Sequence, residues 1–462
     1  MGLPRAKNLV CTGRSSLFSE FSPLYDLEKI FGEITKQTFE SMLIVYHFVA
    51  TLAIIFAFPL FFVFENRGRL KERLALNLPR LKMPERGRIW VHALSVGEVL
   101  SAIPVLEAIK TRYPSREVVL SVKTTTGLQV AGEKLKDTVD LLLPMPLDFW
   151  WSNKRLTNMI MPGVFILVET DIWPGLVSLL KKRGIKAFLV NGRVSPRTGK
   201  IYTRWRFLVS MVLDQFELLL MQTELDESRI LETGVSRDKV RVSGNIKFDQ
   251  KWEPLDSQEL QRWRGLLGVK EGPIWVAGST HDPEETIIFN VFEKLIEAFT
   301  NLSLIICPRE AARFGTVVSL ARERGLSAIR RTQLPSQSET YNVFVLDTIG
   351  ELSKVYSAAD VAFVGGSLTP FGGHNLLEPA RFGIPVVFGP HTFNFDAMSR
   401  SLVAYGGGKR VIGESDLLSV MRELLGQEDT RRQVGERAQA FVEGNQGALE
   451  RVMGVLEPYI GS

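Results

Sequence analysis

Cysteine is scarce in this sequence, and its scarcity excludes two classes of protein. The 462 residues contain two cysteines, Cys11 and Cys307, which lie far apart. Neither has a cysteine or histidine neighbour at the spacing of a structural zinc site. The sequence therefore fits neither a disulfide scaffold nor a zinc module, and it is typical of a chain that faces a reducing compartment.

Low-complexity tracts and short repeats are also missing, which argues against fibrous and solenoid architectures. A length of 462 residues is too great for one ordinary core, so we expect two domains. The hydrophobic share of 45% and the charged share of 23% are ordinary for globular protein, so we expect both domains to be folded.

Long apolar runs are absent except at residues 42–64. This run contains no Asp, Glu, Lys or Arg, and it is long enough to cross about 30 Å of hydrocarbon. A secretory signal would have a shorter apolar stretch and a small-residue cleavage site, whereas Glu65, Asn66 and Arg67 follow here. A buried core helix is a further alternative. We interpret the run as a transmembrane anchor that follows an extension of unknown fold, residues 1–41.

The net charge of +5 is partly concentrated just after this run. Nucleic acid is one partner for a basic patch, but the preceding apolar run favours anionic lipid of an inner leaflet, so we expect no nucleic-acid partner. By the positive-inside rule the rest of the chain lies in the cytoplasm, which predicts a single-pass protein of the cell inner membrane. The cluster consists of Arg67, Arg69, Lys71, Arg73, Arg80, Lys82, Arg86 and Arg88.

From residue 87 onward, short β-branched runs alternate with helical patterns. Most runs lack strict polar–apolar alternation, as expected for strands buried on both faces. Repeated strand–helix units predict an α/β fold with parallel sheets and right-handed crossovers. The predicted strands are RIWVHAL, EVVLSV, GVFILVE, KAFLVNG, LLLMQT, VRVSG, PIWVAGS, LSLIICP, VFVLD, VAFVGG and PVVFG.

A charged segment with a proline, residues 245–264, interrupts this alternation. We interpret it as the connection between a first domain, residues 65–250, and a second domain, residues 251–462. Both are expected to be doubly wound, Rossmann-like domains that face a cleft, because ligands bind at the carboxyl ends of the strands in such sheets. The last helix is expected to pack back on the first domain.

The turn after the first predicted strand carries one acid, Glu98. Ser95 and Glu98 have the Ser-x-x-Glu spacing of a capping box, so reciprocal helix capping is one interpretation. The other is catalysis, because Gly97 lets the backbone approach a ligand and because open α/β sheets place their sites after such strands. The two roles are compatible.

A second candidate site lies in the glycine-rich residues 365–395. Gly372 and Gly373 precede a predicted helix, where free backbone amides and the helix start attract an anion. Asn375 and Glu378 again have capping spacing, but a carboxylate at Glu378 also suits the two hydroxyls of a ribose. The density of glycines favours a functional interpretation.

Polar residues follow most of the other predicted strands. Ser279 and Thr280 suit a phosphate, and Arg309 suits an anion. Asp282 and Pro283 read as an N-cap and a first helical residue. In the first half the candidates are Thr125, Thr126, Glu169, Asp171 and Arg193. Two acids after one strand suit a metal or an acid pair, but no Asp-x-Asp motif ends a strand, so we expect no metal.

In their order along the chain, these motifs resemble those of the Kdo (3-deoxy-D-manno-octulosonic acid) transferases of lipopolysaccharide synthesis. The resemblance covers nearly all of residues 87–395, and the apolar and basic stretches before them match as well. It implies a GT-B fold and inverting transfer of Kdo from CMP-Kdo to a lipid A precursor, without a cofactor. The motifs are WVHALSVGE, TTTG, ETDIWP, NGRVS, GNIKFD, AGSTH, DTIGEL, FVGGSL, GGHNLLEPA and FGPHTFNF.

The resemblance also implies residue roles, with acceptor binding on the first domain and CMP-sugar binding on the second. It places the general base at Glu98. The donor-binding candidates are Ser279, Thr280, Arg309, Ile349, Gly350, Glu351, Gly372, Gly373, Asn375 and Glu378. The acceptor-side candidates are Ser95, Gly97, Thr125, Thr126, Glu169 and Arg193. One departure is Glu310, where the family usually has histidine. The alternatives are another membrane-associated nucleotide-sugar GT-B transferase or epimerase, and a tethered binding protein without activity.

Overall fold

The computed structural model describes residues 37–38, 40–49, 51–52, 71–79, 87–250, 253–266, 272–334 and 341–461. The chain divides into two compact units, one formed by Met1–Ser243 with Val452–Ser462 and the other by Gly244–Arg451. The end of the chain thus belongs with the first unit, where the ring of Tyr459 meets that of Phe188 at 4.8 Å between centroids.

A seven-stranded parallel sheet in the order β3-β2-β1-β4-β5-β6-β7 forms the centre of the first unit. This is a doubly wound order, in which the chain starts in the middle, builds one half, and returns to build the other. Every residue of β1 is buried, as expected for a strand that is covered on both faces. The strands are β1 (Arg88–Ala93), β2 (Val118–Val122), β3 (Leu141–Pro144), β4 (Pro162–Val168), β5 (Lys186–Gly192), β6 (Leu218–Met221) and β7 (Val240–Val242).

Helices alternate with these strands, and several of them bury an apolar stripe against the sheet. In the first of them, Val99, Ala102, Leu106 and Ile109 are buried at three- and four-residue spacing, which puts them on one helix face. The helices are α1 (Val96–Arg112), α2 (Thr125–Lys134), α3 (Trp150–Ile160), α4 (Pro174–Lys182), α5 (Pro196–Arg204), α6 (Arg206–Leu213) and α7 (Glu224–Leu231).

The second unit repeats the plan with a parallel sheet in the order β10-β11-β9-β8-β12-β13-β14. Its strands are β8 (Ile274–Thr280), β9 (Ser303–Pro308), β10 (Ala328–Arg330), β11 (Val343–Val345), β12 (Val361–Val364), β13 (Val386–Phe388) and β14 (Gly408–Arg410). The remaining helices are α8 (Ser257–Leu266), α9 (Glu284–Ile296), α10 (Phe314–Glu323), α11 (Leu352–Tyr356), α12 (Leu377–Ala380), α13 (Asp396–Tyr405), α14 (Glu414–Gly426), α15 (Glu428–Gly444) and α16 (Ala448–Ile460).

Three strands that the sequence did not predict, β3, β10 and β14, all lie at sheet edges. An edge strand pairs on one side only and needs less apolar surface, so its sequence signal is weak. Two of them, β10 and β14, have only three residues each, and β14 is Gly-Lys-Arg.

The region expected to face a membrane is described only in part. No helix in the described ranges is long and apolar enough to cross a bilayer. Residue 50 and residues 53–64 of the expected anchor lie outside those ranges, as do Arg67, Arg69, Arg80, Lys82 and Arg86 of the basic cluster.

Arg88 does not belong to a surface cluster, which corrects the expectation for this residue. Its side chain is 3% exposed. The guanidinium pairs with Glu117 and donates to the carbonyl oxygen of Ile160 at 3.1 Å. Arg88 is the first residue of β1, so its side chain is buried against the sheet, where these contacts satisfy its hydrogen-bond donors.

Candidate active site

The first sheet reverses its winding between β1 and β4, and such a switch point is where open α/β sheets bind ligands. Glu98 lies in the first turn of α1, directly after β1. Glu169 follows β4. The sequence-predicted acids of the first unit therefore meet at the carboxyl edge of the sheet, at its switch point.

The carboxylate of Glu98 is 6% exposed, and its Oε2 accepts a hydrogen bond from the Leu94 amide at 2.5 Å. Ser95 has an extended backbone before the helix, but its side chain makes no capping hydrogen bond. The reciprocal capping box expected from the spacing does not form, because the acid bonds the amide one residue before the N-cap. Gly97 beside it is exposed.

Glu169 is held against the same helix. Its Oε1 accepts a hydrogen bond from the Ser101 hydroxyl at 3.0 Å, and Ser101 lies one turn beyond Glu98 on α1. The backbone of Glu169 has φ +65°, a conformation that costs free energy for a residue with a side chain. Strain of this kind is often found at functional sites.

The threonine turn after β2 packs beside these acids. The Thr124 amide donates to the Leu94 carbonyl oxygen at 3.1 Å. A Cβ on Gly127 would lie 3.3 Å from the carbonyl carbon of Ser95, so the start of α2 is in close contact with the start of α1. Thr125 and Thr126 are exposed at this point. Arg193 follows β5 further along the edge and is half-buried.

The candidate Asp171 lies at the same edge in a polar cluster, and its partners there were not identified from the sequence. The Nε2 atom of His92, which is fully buried in β1, is 3.5 Å from an oxygen of Asp171. The indole of Trp173 donates to that oxygen at 2.7 Å. The ammonium of Lys123 is 3.6 Å from the second oxygen and lies over the Trp173 ring. A histidine inside an otherwise apolar strand was the available signal.

The cluster keeps Asp171 ionised. Burial alone would raise the pKa of this carboxyl, but the hydrogen bonds from His92 and Trp173 and the charge of Lys123 outweigh it, so the pKa is lowered. The ammonium of Lys123 remains 41% exposed, so the first unit presents a cation to solvent two strands from Glu169.

The second sheet reverses between β8 and β12, and there a buried acid organises the backbone. Glu284, at the first position of α9, is fully buried. It accepts hydrogen bonds from the amides of Gly366 (2.7 Å), Ser367 (2.9 Å) and Leu368 (2.7 Å), and from that of His281 (3.1 Å). This carboxylate fixes the loop that follows β12.

Asp282 does not cap α9, contrary to the expectation. The helix begins at Glu284, and Pro283 before it provides no side-chain cap. The carboxylate of Asp282 instead pairs with Arg313 at 3.1 Å. Glu284 replaces it as the partner of the preceding backbone amide, because a longer side chain reaches back over the turn from inside the helix.

Two histidines, His281 and His374, contact each other beside this loop. The Nε2 atoms of His281 and His374 are 2.9 Å apart, and their rings are stacked at 5.2 Å between centroids. Burial, and secondarily the charges of Arg309 and His281, lowers the pKa of His374 to about 4. Burial also lowers the pKa of His281. Both rings are therefore neutral near pH 7, and one donates to the other. A Cβ on Gly366 would lie 3.0 Å from the His374 ring.

Among the donor-binding candidates, the side chains of Arg309, Ser279 and Thr280 differ in how far they are exposed to solvent. Arg309 is exposed, and its amide donates to the Thr280 carbonyl oxygen at 2.9 Å. Thr280 is fully buried, and its hydroxyl donates to Glu285 at 3.3 Å. Ser279 is half-buried with φ +56°. The turn thus offers Arg309 and Ser279 to a ligand, whereas the Thr280 side chain faces the interior.

The glycine-rich loop closes next to this turn. Gly372 has φ +97°, and a Cβ there would lie 2.4 Å from the Asn394 side chain, so the position requires glycine. Gly373 also has positive φ. Asn375 accepts from the Leu377 amide at 3.2 Å and donates to Glu378 at 3.3 Å, which orients the carboxylate.

The remaining donor-side candidates form a separate turn after β11. Ile349 is 94% exposed, and Gly350 has φ +88°. Glu351 accepts from the Thr348 hydroxyl and lies 3.5 Å from the Nε of Arg331. No set of three or more His, Cys, Asp or Glu side chains within the described ranges is arranged to hold a metal ion.

Solved nucleotide-sugar enzymes share this architecture. The UDP-GlcNAc 2-epimerase of Neisseria meningitidis bound to UDP-GlcNAc aligns with a TM-score of 0.55 and 13% identity, over 80% of this chain and 100% of that chain. A glycosyltransferase of Rickettsia africae aligns with a TM-score of 0.53 and 13% identity, over 81% of this chain and 98% of that chain. The two parallel-sheet units therefore define the fold class of GT-B glycosyltransferases and epimerases.

Sequence comparison narrows this class to a family. The model of the 3-deoxy-D-manno-octulosonic-acid transferase family matches residues 68–250. The 3-deoxy-D-manno-octulosonic acid transferase of Haemophilus influenzae is 33% identical over 395 residues, which are 85% of this chain and 92% of that protein. The 3-deoxy-D-manno-octulosonic acid transferase of Chlamydia trachomatis serovar A is 28% identical over 431 residues, which are 92% of this chain and 98% of that protein. The chain belongs to the Kdo transferase family, as its motifs predicted, and it is a glycosyltransferase of lipopolysaccharide synthesis.

Proposed function

We propose that this chain transfers Kdo from CMP-Kdo to a lipid A precursor, with Glu98 as the general base. The observation that carries the proposal is the position of Glu98 at the switch point of the first sheet, anchored through one oxygen to the Leu94 amide. An anchored carboxylate at the ligand-binding edge is pre-oriented to accept a proton. The family of the chain supplies the class of reaction.

The acceptor hydroxyl is a poor nucleophile near neutral pH, so it needs a base. Its oxygen forms a bond to the anomeric carbon of Kdo while its proton passes to Glu98. The bond from that carbon to the phosphate oxygen breaks, and CMP leaves with the electron pair. One displacement inverts the anomeric centre. General-base catalysis of this kind typically contributes about 10² to 10⁴-fold.

The second unit supports the role of donor site. The exposed guanidinium of Arg309 and the backbone around Gly372 and Gly373 suit the charge that gathers on CMP. Glu378, oriented by Asn375, suits the ribose hydroxyls. Because Thr280 is buried, we assign the side-chain contact of that turn to Ser279. We propose that transfer proceeds without a metal.

The first unit suits the acceptor. Lys123 is an exposed cation beside the acids, and Thr125 and Thr126 are exposed hydroxyls next to Ser95. Arg193 adds a second cation after β5. An acceptor that carries phosphate groups would find cations and hydroxyl donors along this edge.

We further propose that the protein is anchored in the inner membrane by residues 42–64, with both units in the cytoplasm. The described part of that stretch supports this, because Ile44, Val45, Phe48 and Val49 are each more than half exposed on an apolar helix. Anionic lipid would then attract Lys71, Arg73 and the other basic residues around them.

The test is incubation of the full chain with CMP-Kdo and a lipid A precursor, followed by mass spectrometry of the lipid. We expect one or more Kdo residues to be added and CMP to be released. UDP-GlcNAc, which is bound in the structure of the Neisseria meningitidis epimerase, should neither support transfer nor compete with CMP-Kdo. Lipid of unchanged mass with CMP-Kdo, together with turnover of UDP-GlcNAc, would establish the alternative nucleotide-sugar enzyme.

A further inference from the structure

A groove on the first unit borders the candidate active site but has no part in the chemistry above. Its volume is about 370 Å³, which is within the range of roughly 300–1,000 Å³ found for small-molecule sites. The side chains that line it are nearly all apolar. They include Met42, Tyr46, Ile172, Leu208, Val209 and Val212. A groove of this composition suits a hydrocarbon ligand.

The groove and the polar edge share one stretch of chain, residues 171–174. Ile172 and Pro174 line the groove. Asp171 and Trp173, which alternate with them, belong to the cluster with His92. One segment therefore has an apolar side and a charged side, and a ligand that contacts both sides must be amphiphilic.

The helices that line the groove also carry cations. Arg204 ends α5 and Arg206 begins α6, and both are exposed. Between and beside them, Trp205 and Phe207 are 54% and 55% exposed. Exposed aromatic and basic residues next to an apolar groove complement a lipid whose head carries negative charge.

We propose that this groove binds one acyl chain of the lipid acceptor. The inference rests on the proposed function, since it takes the acceptor to be acylated and anionic. The sugar head then lies along the edge with Lys123 and Glu98, while the chain runs past Ile172 into the groove between α6 and the helical residues 42–46. Binding one chain positions the sugar hydroxyl, so the groove selects acylated acceptors.

The first test fills the groove without adding charge. Leu208 lines the groove and is half-buried, so Leu208→Trp occupies the space of the chain. In detergent solution we expect the KM for the acylated acceptor to rise about tenfold, which corresponds to about 1.4 kcal/mol, with CMP affinity unchanged. Leu225→Trp is the matched control, because Leu225 is 57% exposed on α7 and does not line the groove. An unchanged KM for Leu208→Trp in a folded protein that binds CMP normally overturns the proposal.

The second test needs no variant. An acceptor with a photoactivatable acyl chain is irradiated with the wild-type protein, and tryptic peptides are analysed for adducts. We expect labelling of residues 207–229, the tryptic peptide that contains the α6 groove wall, and competition by unlabelled acceptor. Adducts confined to other peptides overturn the proposal even if Leu208→Trp fails to fold.

The same experiment separates other occupants of the groove. Equal labelling by a photoactivatable phospholipid in vesicles, without competition by acceptor, would make the groove a general membrane contact and overturn the proposal. Labelling that falls as protein concentration rises would identify a second copy of the chain as the occupant and would also overturn it. Labelling reports binding, not turnover, so failure of the acyl site is distinguishable from failure of the proposed transfer.

Discussion

Glu98 and Glu284 occupy equivalent places in the two units. Each lies in the first turn of the helix that follows the first strand of its sheet, β1 or β8, and each accepts a hydrogen bond from a backbone amide just before that helix. Their surroundings differ. Glu284 is fully buried and also binds the three consecutive amides from Gly366 to Leu368, whereas Glu98 lies beside exposed Gly97.

We propose that this difference lets one topology form two kinds of site. In the second unit Glu284 is bound by backbone amides, and we propose that the donor instead contacts Arg309, Ser279 and the backbone around Gly372 and Gly373. In the first unit Glu98 is also buried, but the preceding residue, Gly97, is exposed, and the side chain of Lys123 after β2 is 41% exposed. One unit is suited to holding an anionic donor, and the other to removing a proton.

The largest effect is expected from Glu98→Gln, which keeps an oxygen for the Leu94 amide but removes the base. Transfer should fall about 10² to 10⁴-fold, while the midpoint of urea unfolding stays close to that of the wild type. Glu107→Gln, on the exposed side of the same helix, is the control and should leave transfer unchanged. Wild-type turnover by Glu98→Gln would show that Glu98 is not the base. Loss of folding would show that Glu98 serves mainly to hold the turn at Leu94.

The same substitution in the second unit should act on stability. Glu284→Gln replaces an acceptor oxygen by an NH₂ group that faces backbone donors, so we expect the free energy of unfolding to fall by about 3 kcal/mol. Urea denaturation measures this directly. Glu297→Gln, exposed just after the same helix, should have almost no effect. A stable Glu284→Gln protein would mean that the loop is held by its other contacts, such as that of Ser367 with Gly389.

A smaller effect is expected at Lys123, which we propose contacts the acceptor. Lys123→Gln removes a partly exposed cation, so we expect the KM for the acceptor to rise about fivefold, or about 1 kcal/mol, with the CMP affinity unchanged. Lys134→Gln, exposed at the end of α2, serves as the control. A change in CMP affinity would show that the two units do not divide the substrates in this way.

The effect that should be smallest near neutral pH, and should appear only on acidification, concerns the histidine pair. Burial lowers the pKa of His374 to about 4 in the folded chain. A histidine in the unfolded chain has a pKa of about 6.5. Between these values the unfolded chain binds a proton that the folded chain does not, so stability falls as the pH falls from 6.5 towards 4. His374→Asn should lose part of this acid sensitivity in urea denaturation at several pH values. An identical pH dependence in both proteins would contradict the buried neutral pair.

Much of this arrangement was predictable from the sequence. Strands such as β1 and β8 are central and covered on both faces, so they read as continuous apolar runs, and the turns after them were found from the strand ends. Glu98, Glu169 and the glycine loop were identified in this way. Three of the four edge strands, β3, β10 and β14, were missed because half-covered strands need few apolar residues, whereas the edge strand β7 was predicted.

The long-range hydrogen bonds and ion pairs at these turns could not be predicted from the sequence. Glu284 was overlooked because Asp282 and Pro283 made a better local cap, and its partners are amides more than eighty residues away. The cluster of His92, Lys123 and Asp171 joins three strand ends. Its members have ordinary neighbours in the sequence and meet only when the sheet is assembled.

The division of labour between the two acids is tested most directly by calorimetric titration of CMP into Glu98→Gln and Glu284→Gln, both confirmed to be folded under the conditions used. We expect Glu98→Gln to bind CMP with the same affinity as the wild type. We expect Glu284→Gln to bind CMP at least about tenfold more weakly, a difference of about 1.4 kcal/mol. Weakened CMP binding by Glu98→Gln, with full binding by Glu284→Gln, would contradict this division of labour.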